Sequence, residues 1–111
     1  MNQVRLIGEV AWPVVVERDP VTRRPVVNTV LAVHRGVHGP SFIPITLRGD
    51  EALSASKHLG EGSLVAVDGH IRTDRMATRD AHGVVTRWLV SIIPDRVTYL
   101  RVRPPRAGDL P

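Results

Sequence analysis

The chain has 111 residues, is 42% hydrophobic and 23% charged, and carries a formal net charge of +4. That length fits one domain with one modest core, and that composition excludes wholesale disorder. There is no cysteine, so disulfides and thiolate metal sites are excluded. The start, "MNQVRLIGEV", lacks the pattern of a secretory leader, and no apolar run approaches the length of a membrane span. A cytoplasmic protein without a membrane partner is the expectation. Lys57 is the one lysine among 15 basic residues. Arginine forks phosphates and stacks on bases, which suits nucleic acid, although a GC-rich genome would favour the same residue.

In chain order, Val4 to Val16 is β-branched and apolar, broken by Gly8 and by Trp12-Pro13. Gly8 within such a run suggests a bulge or sharp bend. "ERDPVTRRP" (17–25) is polar and proline-bounded, which predicts a hairpin loop. "VVNTVLAVHR" (26–35) is a second strand, "GVHGP" (36–40) a turn, and "SFIPITLRG" (41–49) a third strand. Pro44 cannot donate to a ladder, so its part of that strand belongs at an edge or bulge.

"DEALSASKHLG" (50–60) changes period: Ala52, Leu53, Ala55 and Leu59 recur at helical spacings. Acids open the segment and Lys57 and His58 close it, matching the helix dipole, with Gly60 as the expected stop. "SLVAVDGHIRT" (63–73) and "VVTRWLVSIIPDRVTYLRV" (84–102) are strands again, with Gly69 a bend. "DRMATRDAHG" (74–83) reads as a polar hairpin loop turning at His82-Gly83, and "RPPRAGDLP" (103–111) as a short flexible tail. The order predicts an all-β OB-fold, a five-stranded Greek-key barrel with one short helix between strands three and four, over residues 1–102.

"GEGS" at 60–63 raises the question of a phosphate-binding loop. Such a loop needs further glycines, a lysine and a following helix, whereas here a helix precedes and a strand follows. His34, His38, His58, His70 and His82 are scattered, and HExxH, GxSxG and GxxxxGK[ST] are absent. Catalysis, a cofactor, a metal or a small-molecule substrate is therefore not expected.

Four stretches in the right order, "NQVRLIGEV", "RPVVNTVLAV", "KHLGEGSLVAVDGHIRT" and "RWLVSIIPDRVTYL", resemble the bacterial single-stranded DNA-binding protein (SSB) family over residues 2–100. The resemblance implies a homo-oligomer, a tetramer or otherwise a dimer, that wraps single-stranded DNA without catalysis in replication, recombination or repair. It also implies a cytoplasmic, nucleoid-associated location. Binding in such proteins combines a basic groove with stacking aromatics.

By the same resemblance Phe42 stands where the family has a stacking tryptophan, and Arg48 where a second aromatic is usual. Met76 replaces a further tryptophan, and Val37 and His38 lie near a missing one. Arg72 and Arg75 match the family's basic run, Arg79 extends it, and Arg35 and Arg87 complete the expected DNA-contacting set. Trp88 matches a fifth-strand aromatic, with core or interface packing favoured over stacking. Trp12 is read as packing or a dimer contact, and Tyr99 as core or rim. Asp50 and Glu61 occupy places where lysine is frequent, so weaker binding than in a housekeeping member is expected. The long linker and acidic tip of full-length members are missing from "RAGDLP". A short single-OB chain also resembles the dimeric primosomal replication protein n family, and a protein-interaction module with little DNA affinity is the remaining alternative.

Overall fold

Apolar residues alternating with polar ones along the valine- and isoleucine-rich runs fold as strands, with one side of each turned into a common core. The structure, a computed structural model, describes residues 1–106. Its elements are β1 (Val4–Val10), β2 (Glu17–Arg18), β3 (Pro25–His34), a 3-10 turn (Gly36–His38) and β4 (Pro40–Arg48). They continue with α1 (Asp50–His58), β5 (Leu64–Asp80) and β6 (Gly83–Arg101). The strands form one sheet in the order β1-β5-β6-β4-β3-β2. A second pairing of β1, with β3 through Glu9↔Ala32 and Val10↔Leu31, closes the sheet on itself. With β2 only a two-residue addition to the loop after β1, this is the OB-fold read from the element order.

The core is drawn from the inner faces of the barrel strands: Val10, Val27, Leu31, Ile45, Leu47, Val65, Val67 and Ile92. Ala52 and Ala55 of α1, and Leu59 just after it, close the core from that side. Burial contributes about 1.5–3 kcal/mol for each large aliphatic side chain taken from water. Tyr99 packs against this cluster and its hydroxyl shares a 3.0 Å hydrogen bond with Ser54, agreeing with a core or rim role.

The largest difference from expectation lies at residues 74–83. The segment 74–80 is strand, not loop: β5 and β6 pair without a break from Arg72↔Ser91 to Asp80↔Gly83. Only Ala81 and His82 turn, and the His82 N–H donates to Asp80 Oδ1 at 2.7 Å. Every residue of this two-stranded ribbon from Ile71 to Val90 is exposed, so no burial pattern marks it in the sequence. Its strand character comes from the β-branched partner run "VVTRWLV" across the ladder.

Smaller corrections concern glycines and the tail. At Gly8 the register of β1 runs unbroken, so there is no bulge. A Cβ there would sit 2.8 Å from the Ala32 carbonyl oxygen, which makes Gly8 the point where β1 and β3 approach closely. The β5–β6 register shifts twice, between Leu64 and Val65 and between Asp68 and Gly69, so Gly69 lies at one of the two irregularities. The helix stops at His58 because Leu59 is extended, with φ −105° and ψ 123°, and the left-handed turn is at Gly62, with φ 89°. Gly60 instead meets the segment just after β6: its N–H donates to the Arg103 carbonyl at 2.7 Å. Arg103 exchanges two more hydrogen bonds with the Ser63 hydroxyl, at 2.9 and 3.0 Å, so the expected tail is tied down at its first residue. Residues 107–111 of that tail lie outside the described residues. Pro44 is paired with Val30 on one side, while on the other β4 touches β6 through the single parallel pair Ile45↔Ile92.

Candidate nucleic-acid interface

Alternation along β4 sends Ile43, Ile45 and Leu47 inward and Phe42, Pro44, Thr46 and Arg48 outward. Phe42 is 63% exposed, so its ring is not part of the core. Opposite these four residues stand Ala32, Val30, Asn28 and Val26 of β3. The side chain directly across from Phe42 is the small Ala32, and Thr46 is fixed by donating to Asn28 Oδ1 at 3.0 Å. Arg48 closes the row beside the β2–β3 loop, where a cleft of about 550 Å³ also takes in Thr22 and Arg24. Asp19 in that cleft accepts the N–H groups of Thr22 and Val21, which hold its carboxyl below the usual aspartate range.

The ribbon supplies the second region, and its register decides which side chains act together. Residues directly opposite share a face and successive residues alternate. Arg75 lies opposite Trp88, and Arg79 further along shares their face with Val84 and Val90. This face continues the inner side of the barrel, through Ile71 and Ile92. Trp88 is 65% exposed, so the favoured core packing does not hold within the chain. A guanidinium directly across from an indole is the arrangement in which each can stack on the same base or the other.

Arg72, Met76 and Arg87 occupy the opposite face, where Met76 pairs across to Arg87. Arg72 reaches Asp74 Oδ1 at 3.5 Å, a surface pair that partly offsets its charge. Asp80 is on this face too, but its carboxylate is taken by the turn at His82 rather than by Arg79. The expected set is therefore divided between β4 and the two faces of the ribbon. Arg35 stands apart at the β3–β4 connection, where its guanidinium donates to the His38 carbonyl at 3.3 Å.

Asp50 and Glu61 are both exposed, one opening α1 and the other in the turn before β5. Beside Asp50, the Glu51 carboxyl is raised above its ordinary value by burial and by the negative Asp95 nearby. Asp50, Glu51 and Asp95 thus gather negative charge where α1 begins. Trp12, read as packing, is 58% exposed, and its carbonyl accepts the Thr29 hydroxyl at 3.3 Å.

One residue that sequence reasoning missed is Asn2. The β1–β5 ladder ends at Val4↔Gly69. The Asn2 side chain extends it: its Nδ2 donates to the Ile71 carbonyl and its Oδ1 accepts the Ile71 N–H, both at 2.8 Å. A carboxamide thereby imitates a backbone partner at the root of the ribbon, where β5 leaves the barrel. Its signal in the sequence is no more than an asparagine just before the first strand.

Comparison with known proteins agrees with this architecture. The family model described as the OSB SSB domain matches residues 1–99. The chain is 30% identical over 105 residues, 90% of its length, to a single-stranded DNA-binding protein of Clostridium tetani, covering 70% of that relative. It is 31% identical over 105 residues to single-stranded DNA-binding protein 3 of Clostridium acetobutylicum, covering 71% of it. Single-stranded DNA-binding protein 2 of the same organism is 30% identical with 77% covered. With the barrel, the helix placement and nearly the whole chain matched, this protein belongs to the single-stranded DNA-binding (SSB) family.

Proposed function

We propose that the chain binds single-stranded DNA without reading its sequence, through the outer face of β4 and the β5–β6 ribbon. The observation that carries this reading is the pairing of exposed aromatics with arginines. Phe42 shares a face with Arg48, and Trp88 stands opposite Arg75, with both rings mostly in solvent. Aromatic rings usually contribute by burial, and rings held out beside guanidinium groups suit stacked bases and phosphates. The names of the relatives in the two Clostridium species point the same way.

In this reading residues 1–102 are the binding domain and the step is association, with no bond made or broken. Self-association into a tetramer or dimer, and service in DNA replication, recombination or repair in the cytoplasm, go with it. Arg48 and Met76 in place of aromatics, together with Asp50 and Glu61, make the binding weaker than in a housekeeping member. A fluorescence-anisotropy titration with oligo-dT over a salt series tests the reading. The expected result is saturable binding whose log affinity falls linearly with log salt. Indifference to oligo-dT at low salt would leave a protein-interaction module as the surviving account.

A further inference from the structure

β4 and β6 run parallel but meet only at Ile45↔Ile92. Among the described residues, the facing edges of the two strands on the N-terminal side of that pair have no further ladder partner. The gap is a cleft of about 230 Å³ lined by Ile43 and Pro44 of β4, Ile71 of β5, and Val90, Ser91 and Ile92 of β6. Counting back from the bridge along the parallel register brings Phe42 level with Leu89, next to Trp88. Neither ring lines the cleft: Phe42 is on the outer face of β4, and Trp88, with Arg75 across from it, is on the ribbon face that carries Val90.

From this we infer that the cleft is a slot for one unstacked nucleobase, held edge-on between the apolar walls of β4 and β6. The inference rests on the single-stranded DNA reading and names a subsite within it. Three observations select a base. The volume lies below the roughly 300–1,000 Å³ that drug-sized ligands fill, so it suits one flat ring system. Its walls are almost wholly aliphatic, while the facing strand edges and the Ser91 hydroxyl supply hydrogen-bonding groups at the rim. The rival occupant, an added β-strand, is opposed by Pro44, which has no N–H to offer along this edge. Arg75, on the same ribbon face as Val90, would meet a phosphate beside a base seated there.

The test uses the full chain, oligo-dT, and an abasic oligomer of the same length and charge. Wild type is expected to prefer oligo-dT over the abasic strand. Val90→Phe, which fills the slot from an exposed position, should shrink that preference by about five-fold or more, the lower end of what one stacked base contributes. Its salt slope should stay that of wild type, because every phosphate-binding cation is still in place. An undiminished preference in Val90→Phe overturns the slot while leaving DNA binding standing. Failure of wild type to bind either strand overturns the DNA reading itself, and the slot with it. A second measurement needs no variant: in wild type, NOEs from the base protons of bound oligo-dT should reach the methyl groups of Ile43, Ile71, Val90 and Ile92, and base NOEs that fall wholly elsewhere overturn the slot.

Discussion

The barrel and the ribbon are built from the same two strands, β5 and β6, yet they obey different physics. From Leu64 to Gly69, β5 alternates buried and half-buried residues against a closed core, whereas from Ile71 to Asp80 every residue is exposed. The barrel half is held by burial, and the ribbon half by cross-strand pairs worth a few tenths of a kcal/mol to about 1 kcal/mol each. In the function proposed above, this contrast separates what makes the molecule fold from what makes it bind.

The sharpest way to break the contrast is to cut into each half in turn. Leu31→Ala, at a position 1% exposed, should cost about 2–5 kcal/mol in chemical denaturation. Leu89→Ala in the ribbon should change stability by no more than about 1 kcal/mol. Equal losses from the two would mean that the ribbon is packed and not free. Next in size, Phe42→Ala should weaken oligo-dT binding by about 1–3 kcal/mol at an unchanged salt slope. Replacing Arg72 and Arg75 together by alanine should instead flatten the slope of log affinity against log salt, by about 0.7 for each phosphate that is no longer neutralised.

Asn2→Ala probes the joint between the halves. Loss of its two hydrogen bonds to Ile71 should speed amide exchange at Ile71 and along the ribbon, with Val27 and Leu31 amides unaffected. The smallest effect concerns Asp19, whose carboxyl is lowered first by the Thr22 N–H and then by the Val21 N–H. A lowered folded value means that its contribution is complete above the ordinary aspartate range and is lost as pH falls through the folded value. Asp19→Asn should therefore lower stability slightly at neutral pH and make no difference in strong acid.

Much of the barrel was legible because its residues alternate against a single core. The strands around Val27 and Val65 announce themselves by β-branched runs, and α1 by the spacing of Ala52, Ala55 and Leu59 with charges matched to its dipole. The ribbon was not legible, because Asp74 to Asp80 is as polar as a loop and becomes strand only through its partner run. Alternation alone places Phe42 and Arg48 on one side of β4. That Trp88 belongs with Arg75, and Arg87 with Met76, depends on a cross-strand register that a single sequence does not carry. Gly8 and Gly60 show the same limit, since the reason for each lies in a backbone distant in sequence, at Ala32 and at Arg103 and Pro104.

The division of labour between the halves is tested most directly by amide chemical-shift mapping of the full chain as oligo-dT is added. The account predicts that the perturbed amides cluster on β4 from Pro40 to Arg48 and on the ribbon from Ile71 to Val90. Those of α1 and of the Asp50 corner should stay in place. Perturbations centred on α1, or on the outer face of β1 around Arg5 and Ile7 with β4 and the ribbon silent, would contradict it.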